Sequence, residues 1–227
     1  MNKDNLNTCP VQKNYMSDIK TYKKLIREIP IKKQSMHARK DVWRTRLGHS
    51  LFKVVEPVFS EDEITITRGE ILKEENSRLK IIMTLVWGYP KGGRGNNVKS
   101  VLKKLETLRK RLSRNKGKNL TETKAKELIN KLEKVNKMGP STWSKLLYFF
   151  EISINSHRCQ IFDKRVEQSL NASQFRDFNK EEGKWNQKKV DDFFKYIEKL
   201  DEVSRDLRVA PEQLENFLFY YNLYFKL

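Results

Sequence analysis

Apolar residues recur at helical spacing over most of this 227-residue chain and divide it into a succession of amphipathic helices. In the first, 17–29, Ile19, Tyr22, Leu25, Ile26 and Ile29 share one side, Lys20, Lys23, Lys24 and Arg27 lie elsewhere, and Pro30 stops the pattern. Residues 77–87 carry Leu79, Ile81, Ile82, Leu85 and Val86 into a buried helix that ends at Gly88 and Pro90. A third pattern, 98–113, sets Leu102, Leu105, Leu108 and Leu112 against a basic face. Leu128, Ile129, Leu132 and Val135 predict a helix over 121–135. Trp143, Leu146, Leu147, Phe149 and Phe150 predict another directly after the turn Asn136-Lys137-Met138-Gly139-Pro140, whose glycine is free to take positive φ. A helix over 164–171 precedes a polar, loop-rich stretch, 172–187. Two helices close the chain: 190–207, packed through Phe193, Phe194, Ile197 and Leu200, and one opening at Pro211 with Leu214, Phe217, Leu218, Tyr221 and Phe225 as a core stripe. The fold class expected is all-α, a single helical domain over 19–227 behind a loose polar arm, 1–18.

Two stretches leave alternatives open. Between Lys32 and Lys53 the basic residues Arg39, Lys40, Arg44 and Arg46 interleave with Trp43 and Phe52. That is either a surface that tracks phosphates and stacks on a base, or a packed helix with Trp43 in the core. Glu63-Ile64-Thr65-Ile66-Thr67 alternates like a strand, yet Ser60 and Glu63 have capping-box spacing, and a short helix and turn is the expectation.

Charge narrows the partner. Against 29 Asp and Glu stand 47 Lys and Arg, a net charge of +18, and nine basic residues fall between Lys99 and Lys118 with Glu106 the single acid. Such clustering points to a polyanion such as nucleic acid, the bland alternative being a basic face that serves solubility. Two cysteines, Cys9 and Cys159, cannot build a disulfide framework and favour a reducing compartment. They are also too few for a four-cysteine iron–sulfur cluster. No apolar run approaches the roughly 18–20 residues that span a bilayer, and 1–14 lacks the apolar core of a signal peptide. His37, His49 and His157 show no metal-ligand spacing. A cytoplasmic, nucleoid-associated monomer without cofactor is expected.

A tight turn opening on a helix N-terminus presents backbone N–H groups outward, which makes 136–142 a phosphate site. Val135-Asn136-Lys137-Met138-Gly139-Pro140-Ser141-Thr142-Trp143 resembles the helix-hairpin-helix of base-excision DNA glycosylases, with Lys137 standing where the first hairpin glycine is usual. Ile161-Phe162-Asp163-Lys164-Arg165-Val166 is similar to the segment carrying that family's essential aspartate. It lies one helix and one slightly long loop, 152–161, beyond the hairpin. More loosely, Trp87-Gly88-Tyr89-Pro90, the Lys-Gly-Gly-Arg-Gly-Asn-Asn stretch and the Ser-Lys-Leu-Leu-Tyr-Phe helix resemble small bacterial proteins described as having an 8-oxoguanine-glycosylase-like fold.

The resemblance implies a helical bundle in two lobes around a DNA-facing cleft. It implies duplex DNA with a flipped modified base as partner, and hairpin contacts to phosphate from Lys137, Met138, Gly139, Ser141 and Thr142. Backbone carbonyls of the hairpin would hold a monovalent cation. Asp163 would stand beside the sugar as an anion. In the family a lysine at the position of Ser141 attacks the sugar and also cuts the strand; serine is similar to the monofunctional members that remove the base alone. The target implied is a repair lesion or a hypermodified phage base such as glucosylated cytosine. The competing class is a non-catalytic helix-hairpin-helix DNA-binding protein.

Other candidates carry two readings each. Asp163 is also a favoured cap for a helix starting at Lys164. Lys145, one turn beyond Ser141, can contact phosphate, act as a displaced Schiff-base lysine, or be solvated. Four glycines within 88–95 permit close backbone approach to a ligand, with Lys91, Arg94, Asn96 and Asn97 as donors that fill the gap left by a flipped base. The alternative there is a simple connector. Trp87 and Tyr89 line a base pocket or belong to the core. His157 and Arg158, ahead of Asp163, touch DNA or are merely exposed.

Overall fold

The computed structural model describes residues 18–93, 97–135, 138–172, 175–180 and 183–224. Of the arm expected over 1–18, residues 1–17 lie outside them, as do Arg94, Asn96, Lys137 and Phe225, while Asp18 caps the first turn by accepting from the Lys20 N–H.

A 3₁₀ turn, Ile19–Tyr22, leads into α1 (Lys23–Glu28), and a second, Ile31–Lys33, into β1 (Ser35–Arg39), α2 (Lys40–Leu47) and α3 (His49–Val55). Then come β2 (Glu63–Thr67), α4 (Arg68–Lys73), α5 (Ser77–Gly88), α6 (Asn97–Leu102) and α7 (Leu105–Ser113). The hairpin region holds β3 (Asn119–Leu120), α8 (Glu122–Glu133), α9 (Pro140–Phe149), β4 (Ser153–Ile154) and β5 (His157–Arg158). Last are α10 (Lys164–Ala172), α11 (Val190–Leu207) and α12 (Pro211–Tyr224). The chain is mostly helical, as its periodicity predicts. β1 and β2 pair antiparallel, Ser35 facing Thr67 and Arg39 facing Glu63; β3, β4 and β5 form a second small sheet. No helix of the described residues is long and apolar enough to cross a membrane.

Several local expectations are corrected. Residues 63–67 form a strand and not a helix and turn, because β1 supplies a partner with Ala38 and Ile66 buried. The capping box belongs instead to Thr67 and Glu70: Thr67 Oγ1 accepts from the Glu70 N–H at 3.1 Å, and the Glu70 carboxylate accepts from the Thr67 N–H at 2.7 Å. The basic helix expected over 98–113 breaks at Lys103 and Lys104, so that α6 packs on α3 while α7 packs on α5. Leu25, placed on the apolar side by spacing, is 46% exposed. Trp43 and Phe52 are buried in the core, whereas Arg44 and Arg46 face solvent. The core-helix reading of that stretch is the one the fold adopts.

One core runs from Ile19 to Phe219 and encloses a buried ion pair. Arg68 at the start of α4 donates from Nη2 to Glu215 Oε2 of α12 at 2.7 Å, with both side chains almost wholly shielded from water. The guanidinium also lies over the rings of Tyr148 (4.8 Å) and Trp87 (5.6 Å). Removing one partner strands the other's charge in the core. Arg68→Met or Glu215→Leu alone should therefore cost about 3–5 kcal/mol in urea unfolding, and the double variant should recover most of that loss.

Candidate functional site

Gly139 caps α9 with extended backbone (φ −77°, ψ 166°), not with the positive φ that the turn suggested. Its carbonyl accepts from the N–H groups of Thr142 (2.9 Å) and Trp143 (3.1 Å), while Pro140 at the first helical position has no N–H to leave unpaired. A Cβ on Gly139 would meet nothing within 4 Å among the described residues. The Trp143 indole donates to Glu133 at 3.2 Å and packs edge-on against Phe193, which clamps α9 to α8 and α11. Met138 is buried and Ser141 half-buried. The turn to which the resemblance assigns a monovalent cation includes Asn136 and Lys137, both outside the described residues.

Lys145 is not solvated. It is buried, and its Nζ donates to the Ser141 carbonyl (2.9 Å), to Ser141 Oγ (2.8 Å) and to Asp163 Oδ2 (3.4 Å). Asp163 divides its oxygens: Oδ1 accepts from the N–H groups of Arg165 (3.0 Å) and Val166 (3.2 Å), capping α10, while Oδ2 faces the ammonium. The cap expected of Asp163 therefore forms and still leaves one carboxylate oxygen directed at Lys145. Two residues that the sequence did not single out anchor this segment. Ser144 Oγ accepts from the Phe162 N–H at 3.2 Å, and the Tyr196 hydroxyl donates to the Ile161 carbonyl at 3.1 Å while its ring stacks on Phe162.

The end of α5 completes the cluster. Gly88 leaves room for the Lys145 stem, since a Cβ there would sit 3.3 Å from Lys145 Cδ. The Tyr89 and Thr142 hydroxyls are hydrogen-bonded to each other, tying the glycine-rich segment to the first turn of α9. Trp87 points into the core, edge-on to Phe149 and beneath Arg68. Beyond Tyr89 the loop is fitted closely to its surroundings: Gly92 and Gly93 have φ of +73° and +76°, and added Cβ atoms would meet Arg46 Cγ at 2.7 Å and Val98 Cγ2 at 2.6 Å. Lys91 and Asn97 are exposed on either side of the undescribed 94–96.

His157 and Arg158 are not free donors. They lie on β5 of a hairpin turned by Asn155 and Ser156, both with positive φ, which accounts for the long loop ahead of Asp163. His157 Nδ1 is 2.9 Å from Asp201, and Arg158 pairs with Glu212 (3.2 Å) and Glu151 (3.6 Å). Also unforeseen was Glu215. Burial pushes its carboxyl up, Arg68 pulls it back, Asp163 raises it further and Lys145 opposes, so the ion pair in the core shares a field with the Lys145–Asp163 pair.

Shielding of Lys145 is directly measurable. In acetylation footprinting Lys145 should be protected while exposed lysines such as Lys110 and Lys118 react. Gly88→Val should lever the stem away and raise Lys145 modification about tenfold without loss of fold, because the contact displaced is the side chain of one residue.

No curated protein and no solved structure shows a significant match to this chain. A family model described as "Putative 8-oxoguanine DNA glycosylase OGG-like protein" matches residues 29–219, from the end of α1 to within α12. That span takes in the hairpin, the Lys145–Asp163 pair and the ion pair behind it, and the chain belongs to this OGG-like glycosylase family.

Proposed function

We propose that this chain excises a modified base from DNA and leaves an abasic site. The observation that carries the reading is the shielded Lys145–Asp163 pair, 3.4 Å apart, which joins the second hairpin helix, α9, to the start of α10. A base inside a duplex is inaccessible, so the nucleotide is extruded at an unstacking cost of a few kcal/mol. Backbone N–H groups around Gly139 and Ser141 hold a phosphate beside it and fix register without reading sequence. Exposed lysines and arginines between Lys99 and Lys118 steer the duplex. As the C1′–N bond breaks, its electron pair leaves with the base, which takes up a proton. Asp163 Oδ2 stabilises the positive charge developing on the sugar and orients the water whose oxygen bonds to C1′. Serine at position 141 supports base removal without strand cleavage.

A second reading rests on the position of Lys145. Its Nζ reaches across Ser141 to the carboxylate. Once deprotonated, that amine can attack C1′ in place of water, forming a C1′–N bond as the base departs. The ring then opens to a Schiff base, and β-elimination breaks the C3′–O bond.

Mass spectrometry of bases released from oxidised, alkylated, deaminated, mismatched and glucosylated-cytosine DNA separates these outcomes. The family description puts 8-oxoguanine first on the panel. The wild type should release one base, and Asp163→Asn should slow that release by about 10²–10³. Intact abasic strands, with no borohydride-trapped protein–DNA adduct, support hydrolysis. An adduct lost in Lys145→Gln supports the second reading. No base from any substrate, together with salt-sensitive DNA binding, would overturn both in favour of a non-catalytic binder.

A further inference from the structure

A pocket of about 560 Å³ lies apart from the Asp163 cluster, between the 29–33 segment, α4 and the start of α12, with Tyr148 and Arg158 also in its lining. The volume is in the range of small-molecule sites. Pro30, Ile31 and Leu72 give an apolar wall; Lys32 and Lys33 stand at the exposed rim; Tyr148, Arg158, Glu212 and Gln213 are the polar groups between.

The wall is rigid. Gly69 of α4 packs so closely on the Lys32 backbone that a Cβ would meet the Lys32 carbonyl oxygen at 3.0 Å. From α12, Gln213 donates to the carbonyls of Arg27 (2.6 Å) and Ile29 (3.3 Å), which fixes the other side.

The polar groups are left incomplete by the protein itself. The Tyr148 side chain is wholly buried, and neither its hydroxyl nor Arg158 Nε has a hydrogen-bond partner among the described residues. Burial, above all, pushes the phenol up to about 12, so it stays a neutral donor. Glu212 is already committed to Arg158 at 3.2 Å, whereas Lys32 and Lys33 have no acidic partner among the described residues. An unpaired buried hydroxyl is unfavourable, and a ligand with a polar edge would relieve that.

An apolar wall for a flat ring, an unpaired hydroxyl and guanidinium nitrogen for its edge, and two free ammonium groups for an anion describe one ligand. We infer that this pocket binds a nucleotide, its base against Pro30, Ile31 and Leu72 and its phosphate at Lys32 and Lys33. The ligand is either a free mononucleotide or one unit of single-stranded DNA, since both present the same base and phosphate. The inference does not depend on the proposed excision chemistry.

Calorimetric titration of the full chain with dGMP, dAMP, dCMP and TMP tests it. At least one should bind saturably, equally well to wild type and Asp163→Asn, and about tenfold more weakly to Tyr148→Phe and to the Lys32→Ala/Lys33→Ala double variant, a surface change that leaves the core intact. A single-stranded tetranucleotide that binds more tightly than the mononucleotide and competes with it identifies a DNA unit; equal affinity identifies a free nucleotide. No binding by any of the four, binding unaffected by both variants, or binding lost in Asp163→Asn alone would overturn the proposal.

Discussion

Taking charge out of water is the constraint to which the interior of this molecule answers. A buried ion needs a partner, and further hydrogen bonds or aromatic faces, in place of its hydration. Arg68 meets Glu215 at 2.7 Å and lies over two aromatic faces, while its Nε and Nη1 and Glu215 Oε1 have no hydrogen-bond partner among the described residues; Lys145 has three acceptors, and Asp163 two backbone donors besides. Each arrangement needs elements distant in the chain to arrive in register. Glu215 is 147 residues from Arg68. The ion pairs are therefore as much a specification of how α4, α9, α10 and α12 meet as a contribution to stability.

The division of Asp163 follows from the same constraint. With Oδ1 held by the first N–H groups of α10, the carboxylate keeps a fixed orientation without spending Oδ2, and the remaining oxygen faces Lys145. Ser144 and Tyr196 hold the preceding backbone, and Trp143 fixes α9 against α8 through Glu133. The carboxylate and the backbone before it are thus held in place from several elements. At the pocket beside α12 the Tyr148 hydroxyl and Arg158 Nε are buried without hydrogen-bond partners among the described residues.

Legibility differed by element. The helices 77–88, 122–133, 190–207 and 211–224 follow from period, with caps and prolines marking several ends. Asp163 and the hairpin were legible because chemistry and spacing coincide within one short stretch. What pattern missed was non-local: strand 63–67 exists because 35–39 pairs with it, and the break at Lys103 and Lys104 because α3 and α5 offer separate seats. His157 and Arg158 looked available to DNA, yet Asp201 and Glu212 reach them from other helices.

Periodicity and charge thus determine a basic, mostly helical chain with a hairpin and an aspartate one helix beyond it, since these are properties of neighbouring residues. That Lys145 is buried against Asp163, that Trp87 belongs to the core, that Arg68 answers Glu215, and that the Tyr148 hydroxyl goes unpaired were decided by the tertiary structure. Burial, and with it the need for a partner, belongs to a residue's surroundings in space, and no local pattern records them.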